Sequence, residues 1–232
     1  MGKSKGNMYI DSKKQWNIIV GCEYQCTYCV NSFQRQMKRQ KHNCIKCYNY
    51  EPHFHPERLK QSLPRTYGDE FIWCCSSGDI SFARREWMDK ILKRVRELSN
   101  RTFFFQTKNP KCFHDYNFPD NVILGITLET NKSDRNYSSI SKAPKPIKRY
   151  ADFLSLPFER KIVTIEPIMS FDLRFFVELI KDIAPERVYV GYDTKNSNLP
   201  EPKLYKTFWL CSELSKFTKV KTKLMREANV RY

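Results

Sequence analysis

From residue 70 onward the chain repeats one pattern: a short apolar run stops abruptly at polar residues, and a longer stretch follows in which apolar residues recur three and four apart. The runs lie at 71–75, 102–105, 122–126, 161–165 and 187–191, and a short closing strand is expected at 220–224. Continuous apolar runs of this length suit strands buried on both faces of a parallel sheet. Between the first two, Trp87, Met88, Ile91, Leu92, Val95 and Leu98 define one buried face of a helix over 85–99. Helices are expected also over 147–156, 173–183 and 208–214. Strands alternating with helices read as parallel β/α units. Right-handed crossovers then curl such a sheet into a full or partial parallel (β/α) barrel, an α/β fold. At 232 residues the expectation is a single domain, 1–232, carrying a Cys/His-containing basic loop insertion at about 30–55.

A parallel barrel places its site where the strands end. The polar residues that follow the runs are Cys22, Ser76, Gln106, Thr127, Glu166 and Tyr192, and the fold would gather them around one mouth. The first of them opens Cys22-Glu23-Tyr24-Gln25-Cys26-Thr27-Tyr28-Cys29, a C-x3-C-x2-C loop behind the apolar run 16–20. Three thiolates in one tight loop can hold three corners of a [4Fe-4S] cube and leave the fourth iron without a protein ligand. The alternative is a structural zinc site completed by Cys44 and Cys47. Those two cysteines also open a second pattern, C-x2-C-x5-H-x-H, ending on His53 and His55, whose residue types suit zinc or an auxiliary metal.

Composition narrows the partners. Lys and Arg number 41 against 25 Asp and Glu, a net +16 spread along most of the chain. Such a field favours polyanions, so a nucleic acid or nucleotide is the expected substrate and Arg35, Lys38 and Arg39 are candidate phosphate grips; a merely solvated basic surface is the alternative. The nine cysteines accompany no apolar leader in 1–6, so reduced thiols and a cytoplasmic location are expected, and no apolar run is long enough for a membrane span.

The cysteine loop, the segments 71–79 and 102–110, Gly125 to Glu129, Ile165-Glu166-Pro167 and Val190-Gly191-Tyr192-Asp193 together resemble the radical S-adenosylmethionine (SAM) superfamily, and within it a small phage-associated family of unassigned function. Thr107-Lys108 is similar, more faintly, to the spore photoproduct lyase branch. The resemblance implies reductive cleavage of SAM to a 5'-deoxyadenosyl radical, with an electron donor such as a flavodoxin or ferredoxin. It implies cluster ligation by Cys22, Cys26 and Cys29 and contact of Tyr28 with adenine. Ser76-Ser77-Gly78-Asp79 stands where the superfamily has a Gly-Gly-Glu turn receiving the SAM ammonium group. Lys108 would meet the SAM carboxylate, and Thr127, Glu129 and Asn131 the ribose hydroxyls. Glu166 would bind SAM or substrate, or pair with Lys108; Tyr192 and Asp193 are substrate candidates. Alternation lets at most one of Cys74 and Cys75 face into the barrel. Cys75 is the candidate hydrogen-atom donor, against the reading of both as core thiols. Two other functions stay open: radical chemistry on a small metabolite or peptide, and a non-catalytic zinc-stabilised nucleic-acid-binding protein.

Overall fold

Seven strands pair in sequence order, every neighbour parallel: β1 (Ser12–Trp16), β2 (Phe71–Cys74), β3 (Phe103–Thr107), β4 (Val122–Thr127), β5 (Lys161–Ile165), β6 (Arg187–Gly191) and β7 (Lys219–Lys223). The computed structural model describes residues 9–132 and 137–229, without the side chains of Asn31 and Ser32; the reading of 1–6 lies outside the described residues. The inner strands are buried on both faces, whereas the edge strands β1 (SKKQW) and β7 (KVKTK) carry lysines, which discourage pairing with another sheet. Four helices cover the outer face: α1 (Arg85–Glu97), α2 (Pro146–Leu154), α3 (Leu173–Ile183) and α4 (Leu204–Leu214). Among the described residues no helix is long and apolar enough to cross a membrane.

Strand alternation divides the core in two. Ile72, Phe103, Phe105, Leu124, Val163 and Val188 pack outward against Met88, Val95, Phe153, Phe176 and Leu210 of the helices. On the inner face Phe71, Trp73, Phe104, Ile123, Ile162 and Tyr189 surround Tyr9. The Tyr9 ring lies 4.7 Å from both Trp73 and Tyr189, and its hydroxyl is 2.8 Å from Thr164 Oγ1. One residue just ahead of β1 thus touches β6, which requires the sheet to curl. Across the gap between the edges Lys221 of β7 lies 2.8 Å from the Asp11 carboxylate and 3.1 Å from that of Asp69. The sheet is an open, partial barrel, its edges unpaired but bridged by ion pairs at the N-terminal ends of the strands.

Two expectations are corrected here. The basic segment is largely helical: Thr27–Cys29 continues through a π-helical turn Val30–Gln34, then Arg35–Met37 and a 3-10 turn Lys38–Gln40, and Ile45–Asn49 follows. Its Gln, Arg, Lys and Met are strong helix formers even without an apolar stripe. Cys75 does not face into the barrel. It takes a left-handed backbone (φ +58°), so alternation fails and Cys74 and Cys75 both join the outward core. Burial pushes the Cys75 thiol up to about 12, as expected of a packed and unreactive cysteine.

Candidate cluster and cofactor site

The cysteine loop leaves β1 through Ile19–Val20, which pairs antiparallel with His53–Phe54. Gly21 then bridges to Gly78 in the turn after β2. Its N–H donates to the Ser77 carbonyl (3.1 Å), and the Asp79 N–H donates to the Gly21 carbonyl (3.2 Å). Only glycine fits: Gly21 has φ +100°, and a Cβ there would stand 2.2 Å from the Glu51 carbonyl oxygen, while one on Gly78 would stand 2.7 Å from that of Gly21. The expected ammonium-binding turn and the cysteine loop are therefore one interlocked backbone unit. Beyond it Cys22 and Cys29 pack, partly exposed, with Tyr28 around a buried nucleus of Tyr24, Cys26 and Ala143. Cys26 Sγ lies 3.1 Å from Ser141 Oγ. Burial raises the thiol pKa values of Cys22 and Cys29, and the Asp79 carboxylate adds to it at Cys22.

The donor chemistry of this loop fits a cube. Among the described residues only Cys44, Cys47, His53 and His55 are gathered closely enough to share one ion. Cys22, Cys26 and Cys29 pack as neighbours in one loop, and three thiolates are the donor set that a cube with one open iron would take.

Asp79 is committed to the protein. Oδ1 accepts from the Ser81 N–H (3.0 Å), Ser81 Oγ (2.7 Å) and Thr107 Oγ1 (2.5 Å), and Oδ2 accepts from the Lys108 N–H (2.9 Å). The carboxylate ties the ends of β2 and β3 together. Ser76 Oγ and the Ser77 N–H both donate to Asn17 Oδ1 at 2.9 Å. Lys108 aims its Nζ over the Tyr28 ring, 5.3 Å from the centroid. Burial would depress the Lys108 pKa, yet Cys26 and Glu129 hold it above its ordinary value.

Glu129 is fully buried, 2.7 Å from Arg149 Nη1, and accepts hydrogen bonds from the Tyr28 and Tyr137 hydroxyls. Burial alone would raise its pKa, but Arg149 and then Lys108 hold it below the usual carboxylate range. With both oxygens occupied and water excluded, it supports Tyr28 instead of meeting a ribose. The Asn131 side chain is likewise spent on a loop clamp, accepting from the Asp172 N–H and donating to the Asp172 carbonyl, each at 2.9 Å. Tyr192 points outward, its hydroxyl on Thr207 (2.7 Å) and the Pro202 carbonyl (3.0 Å), and Asp193 accepts from the N–H groups of Lys195 and Ser197 in its own loop. Thr127 accepts from Gln106 Nε2 at 2.8 Å. Arg35, Lys38 and Arg39 are exposed on the helical arm; Lys38 donates to the Tyr48 carbonyl (3.0 Å) and covers that ring.

Glu166 pairs with Lys223, not Lys108: Lys223 Nζ is 3.6 Å from Oε1, and Oε2 has no hydrogen-bond partner among the described residues. Burial pushes this carboxyl from an ordinary 4.5 up to about 7, with Lys223 working against the shift. A carboxyl raised in the folded chain holds its proton longer than in the unfolded chain, so its contribution to stability falls as pH rises from about 4.5 to about 7. At 1.36 kcal/mol per unit the loss is as much as about 3 kcal/mol. Glu166→Gln should therefore match the parent near pH 5 and exceed it above pH 7 in urea unfolding; parallel pH profiles would show that the carboxyl is not so perturbed.

Sequence reasoning missed Arg149, Tyr137, Tyr50 and Lys223. A signal existed for Arg149: it sits three positions after Pro146 and four before Phe153 on the buried stripe of α2, where an arginine needs a carboxylate partner.

An open parallel sheet with helices outside and a cysteine loop interlocked with the second strand end is a partial barrel of the radical SAM type. In fold the chain is similar to the crystal structure of Streptococcus suis SuiB bound to S-adenosylmethionine, with a TM-score of 0.52 and 10% sequence identity over 93% of this chain and 51% of that one. The chain thus spans about half the length of that protein. The profile of the family described as "Protein of unknown function (DUF5131)" matches residues 9–170, and the chain belongs to that family. No curated protein matches it in sequence.

Proposed function

We propose that this chain is a radical SAM enzyme acting on a nucleic acid or nucleotide in a reducing, cytoplasmic compartment. The observation that carries the reading is the interlock of the C-x3-C-x2-C loop with the turn after β2, on a fold shared with a SAM-bound structure. Cys22, Cys26 and Cys29 would hold three corners of a [4Fe-4S] cluster. When bound and reduced by a flavodoxin or ferredoxin, the cluster supplies the electron that cleaves SAM to methionine and a 5'-deoxyadenosyl radical. The protein's own part is to orient. Ser76, Ser77 and Gly78 would present backbone groups to the SAM ammonium, since the Asp79 carboxylate is occupied. Lys108 would face the SAM carboxylate, and Tyr28, braced by Glu129, the adenine. Thr127 and Glu166 line the mouth. The likeness to the phage-associated radical SAM group rests on these same strand ends.

The substrate class rests on the +16 charge and on Arg35 and Arg39, exposed on the arm that leaves the cysteine loop directly. Anaerobically reconstituted protein, reduced in the presence of SAM, should release 5'-deoxyadenosine, and oligonucleotides should raise its turnover in a salt-sensitive manner. Reconstituted protein with a full cluster and no 5'-deoxyadenosine would sink the enzyme reading. Stimulation by a metabolite and not by oligonucleotides would replace the substrate alone.

A further inference from the structure

We infer that Cys44, Cys47, His53 and His55 form a closed zinc site, separate from the cluster loop, that clamps the basic arm onto the strand feeding that loop. The four ligand atoms lie within 4.8 Å of one another. His53 Nε2 is 3.4 Å from Cys44 Sγ and 3.3 Å from Cys47 Sγ, and His55 Nε2 is 3.3 Å from Cys47 Sγ. Tetrahedral zinc, with Zn–S near 2.3 Å and Zn–N near 2.0–2.1 Å, gives S···N edges of about 3.6 Å, close to those spacings. A two-iron centre would draw its cysteines and histidines toward different metals, whereas these four converge on one point.

The imidazoles are set for a metal by their other nitrogens. His53 Nδ1 is 2.7 Å from the Glu51 carbonyl and His55 Nδ1 is 2.8 Å from the Glu57 carboxylate. Both partners can only accept, so each Nδ1 carries the proton and leaves the Nε2 lone pair for the metal side, where His53 faces both sulfurs and His55 faces that of Cys47. The Cys47 N–H points at Cys44 Sγ (3.4 Å), which suits a thiolate. Cys47 and His53 are buried, at 2% and 7% exposure, and the shell is made wholly of protein ligands; both features mark a structural rather than a catalytic ion.

The clamp reaches the cysteine loop through backbone. His53 pairs with Val20, two residues ahead of Cys22. The Cys22 N–H donates to the Tyr50 carbonyl (3.3 Å), and the His55 N–H donates to the Ile18 carbonyl (2.8 Å). Holding residues 44–55 closed therefore fixes the path of 18–22, and with it the first cluster ligand.

Elemental analysis of the full chain tests the assignment independently of radical chemistry. A Cys22→Ala/Cys26→Ala/Cys29→Ala variant should retain one zinc per chain, and cobalt loaded in its place should show the intense visible bands of a tetrahedral thiolate site. Cys44→Ser/Cys47→Ser should lose both. Because that variant can lose its fold along with its metal, Glu57→Ala offers a milder change on the exposed side: the chain stays folded and zinc affinity, read by competition with a chromophoric chelator, drops by about tenfold. Zinc that disappears in the triple variant, iron in place of zinc at these ligands, or a parent chain that takes up neither zinc nor cobalt would each overturn the inference.

Discussion

Cys26→Ala should leave a folded protein that retains neither iron nor sulfide after anaerobic reconstitution. Cys26 is the most buried of the three loop thiols, 4% exposed, and the other two pack around it. With it gone, only two protein ligands remain for a cube that already lacks a fourth. Folding should survive, because Cys26 stands at the N-terminus of Thr27–Cys29 without making a side-chain capping bond, and alanine removes only a contact with Ser141. Iron and sulfide assays with visible absorption report the outcome. Cys211→Ala, which changes a thiol on α4 outside both cysteine groups, is the control and is expected to keep its iron. A Cys26→Ala protein that bound iron as the parent does would remove this loop as the cluster site.

The second large effect is on stability. Arg149→Met should cost roughly 3–5 kcal/mol in urea unfolding at neutral pH, because it leaves the Glu129 carboxylate buried without its counter-charge. Adding Glu129→Gln should recover much of the loss, since a neutral amide can still accept from Tyr28 and Tyr137. The single variant should also lose less at low pH, where the uncompensated carboxyl takes up a proton. A cost below about 1 kcal/mol, within the range of ordinary surface substitutions and exposed pairs, would mean that water reaches the pair.

The inner strands were legible because burial on both faces leaves an unbroken apolar run: 161–165 and 187–191 were placed to the residue. β1 was not, since Lys13, Lys14 and Gln15 on an edge strand read like a loop. The Cys/His quartet, which the fold gathers, was legible from its residue types and spacing. The loop polar residues were harder for a physical reason. Ends of parallel strands need side chains that cap turns and join neighbouring loops, and these are the same residue types that hold a ligand. Asp79, Asn131, Asp193 and Tyr192 hold the loops, and Glu129 holds a buried arginine 20 residues further on, in α2, a pairing that spacing alone does not announce. Cys75 escaped because the left-handed residue that ends a strand also ends the rule of alternation.

Tyr9 has a further consequence. Its ring, packed among Phe71, Trp73, Phe104 and Tyr189, closes the barrel at the N-terminal ends of the strands, and the Asp11–Lys221 pair laces the gap beside it. The molecule is a cup and not a tube. Among the described residues the aromatic floor gives the space between the cysteine loop and the ends of β2 to β6 a blind lower end, and the polar groups stand along the opposite rim.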